Sequence, residues 1–263
     1  MSTKKAKMMS FWSERAKLYE GDPRANTNDI WLREVEIAYV DRAIKAEAVK
    51  NILDFGCANG YSTMRLATLN PEISFAGWDI NADMIHIAET FVESNPAGNL
   101  SFRLADVLQE QVNEKFDLIY AIRVFQNMES FDMQKAVLDA LVKRLNPGGR
   151  LLYIESYLDG YTRLNEDRVK MDLKPLPIHE HLTLLTDEFD NYVSSKLELL
   201  SRDYVSSSYY LITRLLYSYI AKVNDEQIDY NHPIHQVAAL VPQIGEYGPQ
   251  KASVYQNPRR GGS

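Results

Sequence analysis

The segment from Asn51 to Asp79 constrains the fold of this chain more than any other. A short apolar run, Asn51-Ile52-Leu53, leads into the loop Asp54-Phe55-Gly56-Cys57-Ala58-Asn59-Gly60, and a helical pattern starts near Ser62. A second apolar run, Ile73-Ser74-Phe75-Ala76-Gly77-Trp78, follows and ends in Asp79. Strand, glycine turn, helix, strand and terminal acid form a nucleotide-binding βαβ unit. Parallel neighbours need a crossover of this kind, so the unit commits the chain to an α/β sheet.

The loop also restricts the nucleotide. A dinucleotide fingerprint uses three glycines to lay a pyrophosphate on the helix N-terminus. Here only Gly56 and Gly60 are present, Ala58 takes the third position, and the turn opens with Asp54. A carboxylate repels a pyrophosphate but suits an ammonium group. A ligand with adenosine at one end and an amino acid at the other therefore fits better, which points to S-adenosylmethionine. Leu100-Ser101-Phe102-Arg103-Leu104 reads as a third strand, followed by Ala105-Asp106-Val107, where the acid can accept a hydrogen bond from an adenine amino group. Phe116 to Ala121 reads as a fourth strand. Leu145-Asn146-Pro147-Gly148-Gly149-Arg150 reads as a helix stop and turn into a fifth, Leu151 to Glu155.

With the series DFGCANG, GWDIN, LADV, FDLIYAIRVFQNM and LNPGGRLLYIES in this order, the chain resembles the class I S-adenosylmethionine-dependent methyltransferases, over roughly residues 10 to 256. The resemblance implies a doubly wound, mostly parallel seven-stranded sheet. Its last strand, near Ala252 to Tyr255, would run antiparallel between the fifth and a sixth at Leu197 to Val205. It also implies roles for the cofactor residues. Gly56 lets the backbone approach the ligand, Asp54 holds the methionyl ammonium, Asp79 accepts the ribose hydroxyls and Asp106 reads the adenine amine. Tyr19, Arg33, Ile80, Val107 and Arg123 complete the expected cofactor set, with Arg33 pairing the methionyl carboxylate. Cys57 is read as a small filler of the loop.

Composition is that of a soluble globular protein. The 263 residues are 45% hydrophobic and 25% charged, as in ordinary globular proteins. No apolar stretch has signal-peptide or membrane-spanning length, and the single cysteine precludes an internal disulfide, which favours a reducing cytoplasm. A net charge of -7 argues against a nucleic-acid substrate, because phosphate backbones need a basic footprint. Residues 1–45 are locally less acidic, with nine Lys/Arg against seven Asp/Glu.

The expected organisation is an N-terminal helical lid over residues 1–45, a methyltransferase domain over 46–258 and a tail over 259–263. Residues 1–9 read as disordered, and 11–45 as two helices broken at Gly21-Asp22-Pro23. Cap insertions are expected at about 156–190 and 208–250, the second containing a helix from Ser208 to Val223. The stretch between the sixth and seventh strands, longer than usual for this family, enlarges the cap or builds an oligomer contact, so a homodimer is one candidate state.

Methyl transfer from a sulfonium mainly requires alignment, and a hydroxyl acceptor requires a base as well. The base candidates are His179, His181 and Glu155, with Tyr153, Tyr157 and Tyr161 nearby. Asn28, Asn127, Tyr157, Arg163, Asn165 and Arg168 are the expected acceptor contacts. No metal is expected, because His179-Glu180-His181 offers only two ligands. His232 and His235 read as structural, and His86 as a surface or packing residue. Leu164-Asn165-x-x-Arg168 with Ser206 to Tyr210 resembles a bacterial subgroup associated with surface-glycan or natural-product pathways. The expected reaction is O-methylation of a sugar, phosphorylated sugar or natural-product intermediate. An NAD-dependent oxidoreductase and a non-catalytic binding protein are the alternatives.

Overall fold

The structure, a computed structural model, describes residues 3–110 and 114–259. The strands are β1 (Asn51–Phe55), β2 (Ser74–Asp79), β3 (Leu100–Leu104), β4 (Phe116–Ile122), β5 (Leu145–Ser156), β6 (Glu198–Asp203) and β7 (Gln250–Gln256). They form one sheet in the order β3-β2-β1-β4-β5-β7-β6. The five strands β1 to β5 pair in parallel, while β7 is antiparallel to both β5 and β6. The expected place and direction of the last strand are therefore observed.

The parallel strands are covered on both faces, so their sequences are nearly continuous apolar runs. Leu151, Leu152, Tyr153 and Ile154 of β5 are all fully buried. Helices α2 (Ile30–Lys45) and α3 (Tyr61–Leu69) cover one face through Ile37, Val40, Ile44 and Leu66, packed on Ile52, Phe75 and Leu152. Helices α5 (Phe131–Val142) and α7 (Asp187–Ser194) cover the other through Leu138, Leu141, Phe189 and Val193, packed on Leu53, Ile119 and Tyr153. Between β2 and β3, α4 (Ala82–Glu93) starts where the Asn81 side chain accepts from the Met84 amide, a local cap of the usual kind.

Two corrections to the sequence reading lie outside the sheet. Residues 3–9 are not disordered: α1 (Thr3–Tyr19) includes them, and its polar side chains are satisfied from afar, as when Lys4 Nζ donates to Thr183 Oγ1 at 2.7 Å. The segment after β5 begins with a regular helix, α6 (Leu158–Lys170), and only the prolines beyond it keep the chain irregular. A third correction concerns Leu145 to Arg150, which is the first half of β5 rather than a turn. A Cβ at Gly149 would stand 2.9 Å from the Asn146 carbonyl oxygen, so glycine lets the two backbones pass there. Residues 260–263 of the expected tail fall outside the described residues.

The second insertion contains α8 (Ser207–Tyr210), a π-helical stretch (Leu211–Leu216), α9 (Tyr217–Val223) and α10 (Pro233–Leu240). Leu32 and Val35 of α2 share one apolar cluster with Leu164, Tyr209, Tyr210, Leu215 and Ala238. The second lid helix and the cap thus form one body above the carboxyl ends of the strands.

Candidate functional site

A cavity of about 610 Å³ lies over the carboxyl ends of β1 to β4, roofed by α1 and the cap. The sheet register sets its floor. Phe55 pairs with Trp78 and Asp79 with Leu104, so the loops bearing Asp54, Asp79 and Asp106 emerge side by side, and all three acids border the cavity.

Each acid is held by its own loop. The Asp79 carboxylate accepts from the amides of Ala58 (2.9 Å) and Asn81 (2.8 Å), which fixes its orientation and leaves lone pairs facing the cavity. Burial raises its pKa, against the pull of these N–H donors. Asp54 accepts from Thr63 Oγ1 at 2.6 Å, and burial pushes its carboxyl up to about 6. Asp106 accepts from the Leu108 amide at 3.1 Å and from Gln109 Nε2 at 3.1 Å, and Lys5 lies 3.8 Å away. It therefore closes a turn as well as bordering the cavity. Ile80 and Val107 border the cavity from the same loops. Cys57 is buried and burial pushes its thiol up, as suits a filler.

Gly56 borders the cavity, and packing gives a second reason for glycine there. Its φ is +76°, and a Cβ there would come within 2.5 Å of Val124 Cγ2. Packing against the β4 loop, together with a left-handed backbone, already excludes a side chain before any ligand arrives.

The loop after β4 is strongly constrained. Arg123 has φ +59°, its amide donates to the Ile154 carbonyl at 2.8 Å, and Asn127 Nδ2 donates to its carbonyl at 2.7 Å. Asn127 Oδ1 is buried with no partner. Beneath the loop, Glu155 accepts from the amides of Val124 (2.7 Å), Phe125 (2.8 Å) and Gln126 (3.1 Å). Glu155 is fully buried and absent from the cavity wall. Burial pushes its carboxyl up to about 8, against those three donors. It is a brace for the loop, and the expectation of a general base there is corrected.

Arg33 and Arg123 border the cavity and share one carboxylate oxygen, Glu36 Oε2, at 3.4 and 3.1 Å. The other oxygen of Glu36 accepts from Gln250 Nε2 at 2.6 Å. The Nε atoms of both arginines are buried without a partner. Burial, and then the charge of Arg123, lower Arg33 to about 10, so it stays charged at neutral pH. This orphaned donor is a fit for the carboxylate of an amino-acid moiety.

The cap departs most from expectation. Arg163 donates to the Glu246 carbonyl at 3.1 Å, and Asn165 clamps Leu176 through both its carbonyl (3.0 Å) and its amide (2.8 Å). Arg168 is buried, with Nε on the Lys174 carbonyl at 2.9 Å. Tyr157 and Tyr153 are fully buried, with hydroxyls 2.6 and 3.0 Å from Asp190. None of these five borders the cavity. Their polar atoms tie cap segments to one another, so the expectation that they meet an acceptor is corrected. Tyr19 is also off the wall, lying beneath the Arg15 guanidinium (4.8 Å to its ring centre) and packed with Ala16, Ala25 and Met84.

Asn28, Asn127, His179 and His181 do border the cavity. The two histidine rings stack 5.7 Å apart, and His181 also lies 4.9 Å from Phe11 of α1. Burial, then the neighbouring His179 and Lys4, lower the His181 pKa, leaving it neutral at pH 7. His232 caps α10, His235 is fully buried against the Tyr209 hydroxyl (3.0 Å), and His86 is exposed on α4.

Several wall residues escaped the sequence reading. Met8 and Arg15 join Lys4, Phe11 and Trp12 on the cavity face of α1, and their three- and four-residue spacing was an available signal. Arg214 and Tyr230 come from the cap, where no local pattern announces them. Arg214 forms a buried ion pair with Asp29, which also accepts from the Tyr209 hydroxyl. Burial pushes the Asp29 carboxyl up, but His235, Arg214 and Tyr209 together hold it well below the usual carboxylate range.

A family described as a methyltransferase domain matches residues 46–209. The chain is 31% identical over 127 residues to malonyl-[acyl-carrier protein] O-methyltransferase 2 of Ilyobacter polytropus, covering 48% of this chain and 47% of that protein. It is 28% identical over 160 residues to malonyl-[acyl-carrier protein] O-methyltransferase of Halalkalibacterium halodurans, covering 59% and 56%. The chain thus matches about half the length of these relatives. In structure it resembles the N-methyltransferase NodS from Bradyrhizobium japonicum, with a TM-score of 0.58 at 18% identity over 94% of this chain and 96% of that one, which shows a shared fold. The chain belongs to the methyltransferase-domain family, its fold is that of the class I S-adenosylmethionine-dependent enzymes, and the oxidoreductase alternative falls away.

Proposed function

We propose that this protein transfers a methyl group from S-adenosylmethionine to an oxygen of a small polar acceptor. The observation that carries the reading is the row of Asp54, Asp79 and Asp106 at adjacent strand ends bordering one cavity, with the orphaned Arg33 Nε near Asp54. Asp54 would hold the methionyl ammonium, Arg33 its carboxylate, Asp79 the ribose and Asp106 the adenine amine. When bound, this cofactor supplies a sulfonium-activated methyl group. The chain's own contribution is alignment and exclusion of water: α1 covers the mouth, and Glu155 braces the loop bearing Arg123.

For a hydroxyl acceptor, the base candidates of the sequence that border the cavity are His179 and His181, with Tyr161 beside them on the wall. Sugars, phosphorylated sugars and natural-product intermediates remain the acceptor classes of choice. Two observations favour a small molecule and oxygen: the net charge of -7, and relatives named as O-methyltransferases. The test is calorimetry with S-adenosylhomocysteine and NAD, followed by labelled cofactor added to cell extracts. Binding of S-adenosylhomocysteine alone, with label in small molecules, is expected. Binding of NAD alone, or label confined to RNA or protein, would overturn the reading. Cofactor binding without transfer to any fraction would instead favour a non-catalytic role.

A further inference from the structure

The acceptor end of the cavity has a charge imbalance that the cofactor does not remove. Four arginines border the cavity, Arg15 from α1, Arg33 from α2, Arg123 after β4 and Arg214 from the cap, and Arg123 lies within Coulombic reach of both Arg15 and Arg33. Among the described residues only two carboxylates pair with them. Asp29 takes Arg214, and Glu36 is shared by Arg33 and Arg123. Arg15 is half-buried and makes no ion pair among the described residues. Its guanidinium donates to the carbonyls of Arg24 and Ala25 (2.8 Å to the latter) and to Asn28 Oδ1 (2.9 Å). With Lys4 and Glu129, which also border the cavity, five positive charges stand against three negative, an excess of two. At the adenosine end, by contrast, Lys5 faces Asp106.

On the methyl-transfer reading, the methionyl carboxylate neutralises one of these arginines and Asp54 the ammonium. The sulfonium then restores the excess. An ammonium acceptor would meet like charge in a partly desolvated chamber, where Coulomb repulsion is weakly screened. An anion would complete the balance. Glu155, the carboxylate candidate for a base, is off the cavity wall and committed to three backbone amides.

We propose that the acceptor is a small oxyanion, methylated on its own charged oxygen and held by Arg15 and Arg123. This inference rests on the methyl-transfer reading and narrows its substrate class. The acceptor oxygen forms the new O–CH3 bond as the S–CH3 bond breaks, with that electron pair staying on sulfur. No proton moves. A carboxylate would give a methyl ester, and a phosphate monoester a methyl phosphodiester.

The test uses the full chain saturated with S-adenosylhomocysteine and titrated with benzoate, benzamide, benzylamine and inorganic phosphate. The three organic probes are nearly isosteric and differ in charge. Benzoate or phosphate should bind at least tenfold more tightly than benzamide, and benzylamine should not bind. The better anion tells carboxylate from phosphate. Arg15→Gln should weaken the anion about tenfold and leave S-adenosylhomocysteine affinity within twofold, while Arg15→Lys should recover most of the loss. A control loaded with 5′-methylthioadenosine, which lacks the methionyl carboxylate, separates the two possible sources of negative charge. If anions bind only to that form, the arginines serve the cofactor and the proposal fails. It also fails if neither anion binds at millimolar concentration or if benzamide matches benzoate. Loss of S-adenosylhomocysteine binding itself would instead defeat the reading beneath it.

Discussion

The two halves of the cavity are built in different ways. Along the strand ends, each cavity acid is held by a loop close to it in sequence: Asp79 by the Asn81 amide, Asp106 by that of Leu108, Asp54 by Thr63. In the lid and cap the contacts are remote. Asp29 meets Arg214 across 185 positions, Glu36 meets Gln250 across 214, and Lys4 meets Thr183 across 179. A binding site assembled from strand ends can be specified locally, because the sheet register delivers its parts together. One assembled from a lid and a cap depends on buried polar pairs to fix its shape.

Breaking such a pair should produce the largest effect. Arg214→Met leaves the Asp29 carboxylate buried without its cation, and should cost about 3–5 kcal/mol of stability, read as a lower denaturant midpoint. A loss below 1 kcal/mol would mean that the cap is not held by this pair. Next comes Gly56→Ala. Strain at φ +76° and the clash with Val124 should together cost about 2–3 kcal/mol. Combining it with Val124→Ala should recover part of that cost. No recovery would return the constraint to the ligand.

Within the cofactor half, Asp79→Ala removes the expected ribose acceptor. Charge-assisted hydrogen bonds are worth about 1.5–3 kcal/mol each, so S-adenosylhomocysteine should bind at least tenfold more weakly, with circular dichroism unchanged. Equal affinity would place the ribose elsewhere. The pH dependence sharpens the role of Asp54. Its carboxyl, raised to about 6 by burial, must be ionised to hold an ammonium. Affinity should therefore be flat above about pH 6 and fall by up to tenfold per unit below it, and Asp54→Asn should remove that slope. The same raised pKa means that the ionised form disfavours the unliganded fold, so Asp54 contributes stability at low pH that is lost as pH rises through about 6. The smallest effect is expected at Arg168. Because it ties α6 to the cap instead of bordering the cavity, Arg168→Ala should lower stability while changing the acceptor KM by less than about twofold. A tenfold rise would put the residue back at the acceptor.

These contrasts match what could be read from the chain. The parallel strands and the three cavity acids were legible, because apolar runs and glycine turns are short-range patterns, while the antiparallel place of β7 came from the family resemblance. Residues 3–9 were misread because α1 draws its order from Thr183, Glu180 and His181, partners absent from any local window. Tyr157, Arg163, Asn165 and Arg168 were assigned to an acceptor because polar side chains in a cap seemed to lack other partners. The folded chain supplies those partners as Asp190 and as the backbone carbonyls of Glu246, Leu176 and Lys174.

The sequence by itself determined the sheet, the cofactor loops and the family, since each depends on residues that act within a few positions of one another. Only the tertiary structure decided that Glu155 braces a loop rather than lining the cavity, and that Arg15, Arg33, Arg123 and Arg214 border one cavity. Burial and charge balance are properties of a volume, and a volume is enclosed only when segments far apart along the chain have packed around it.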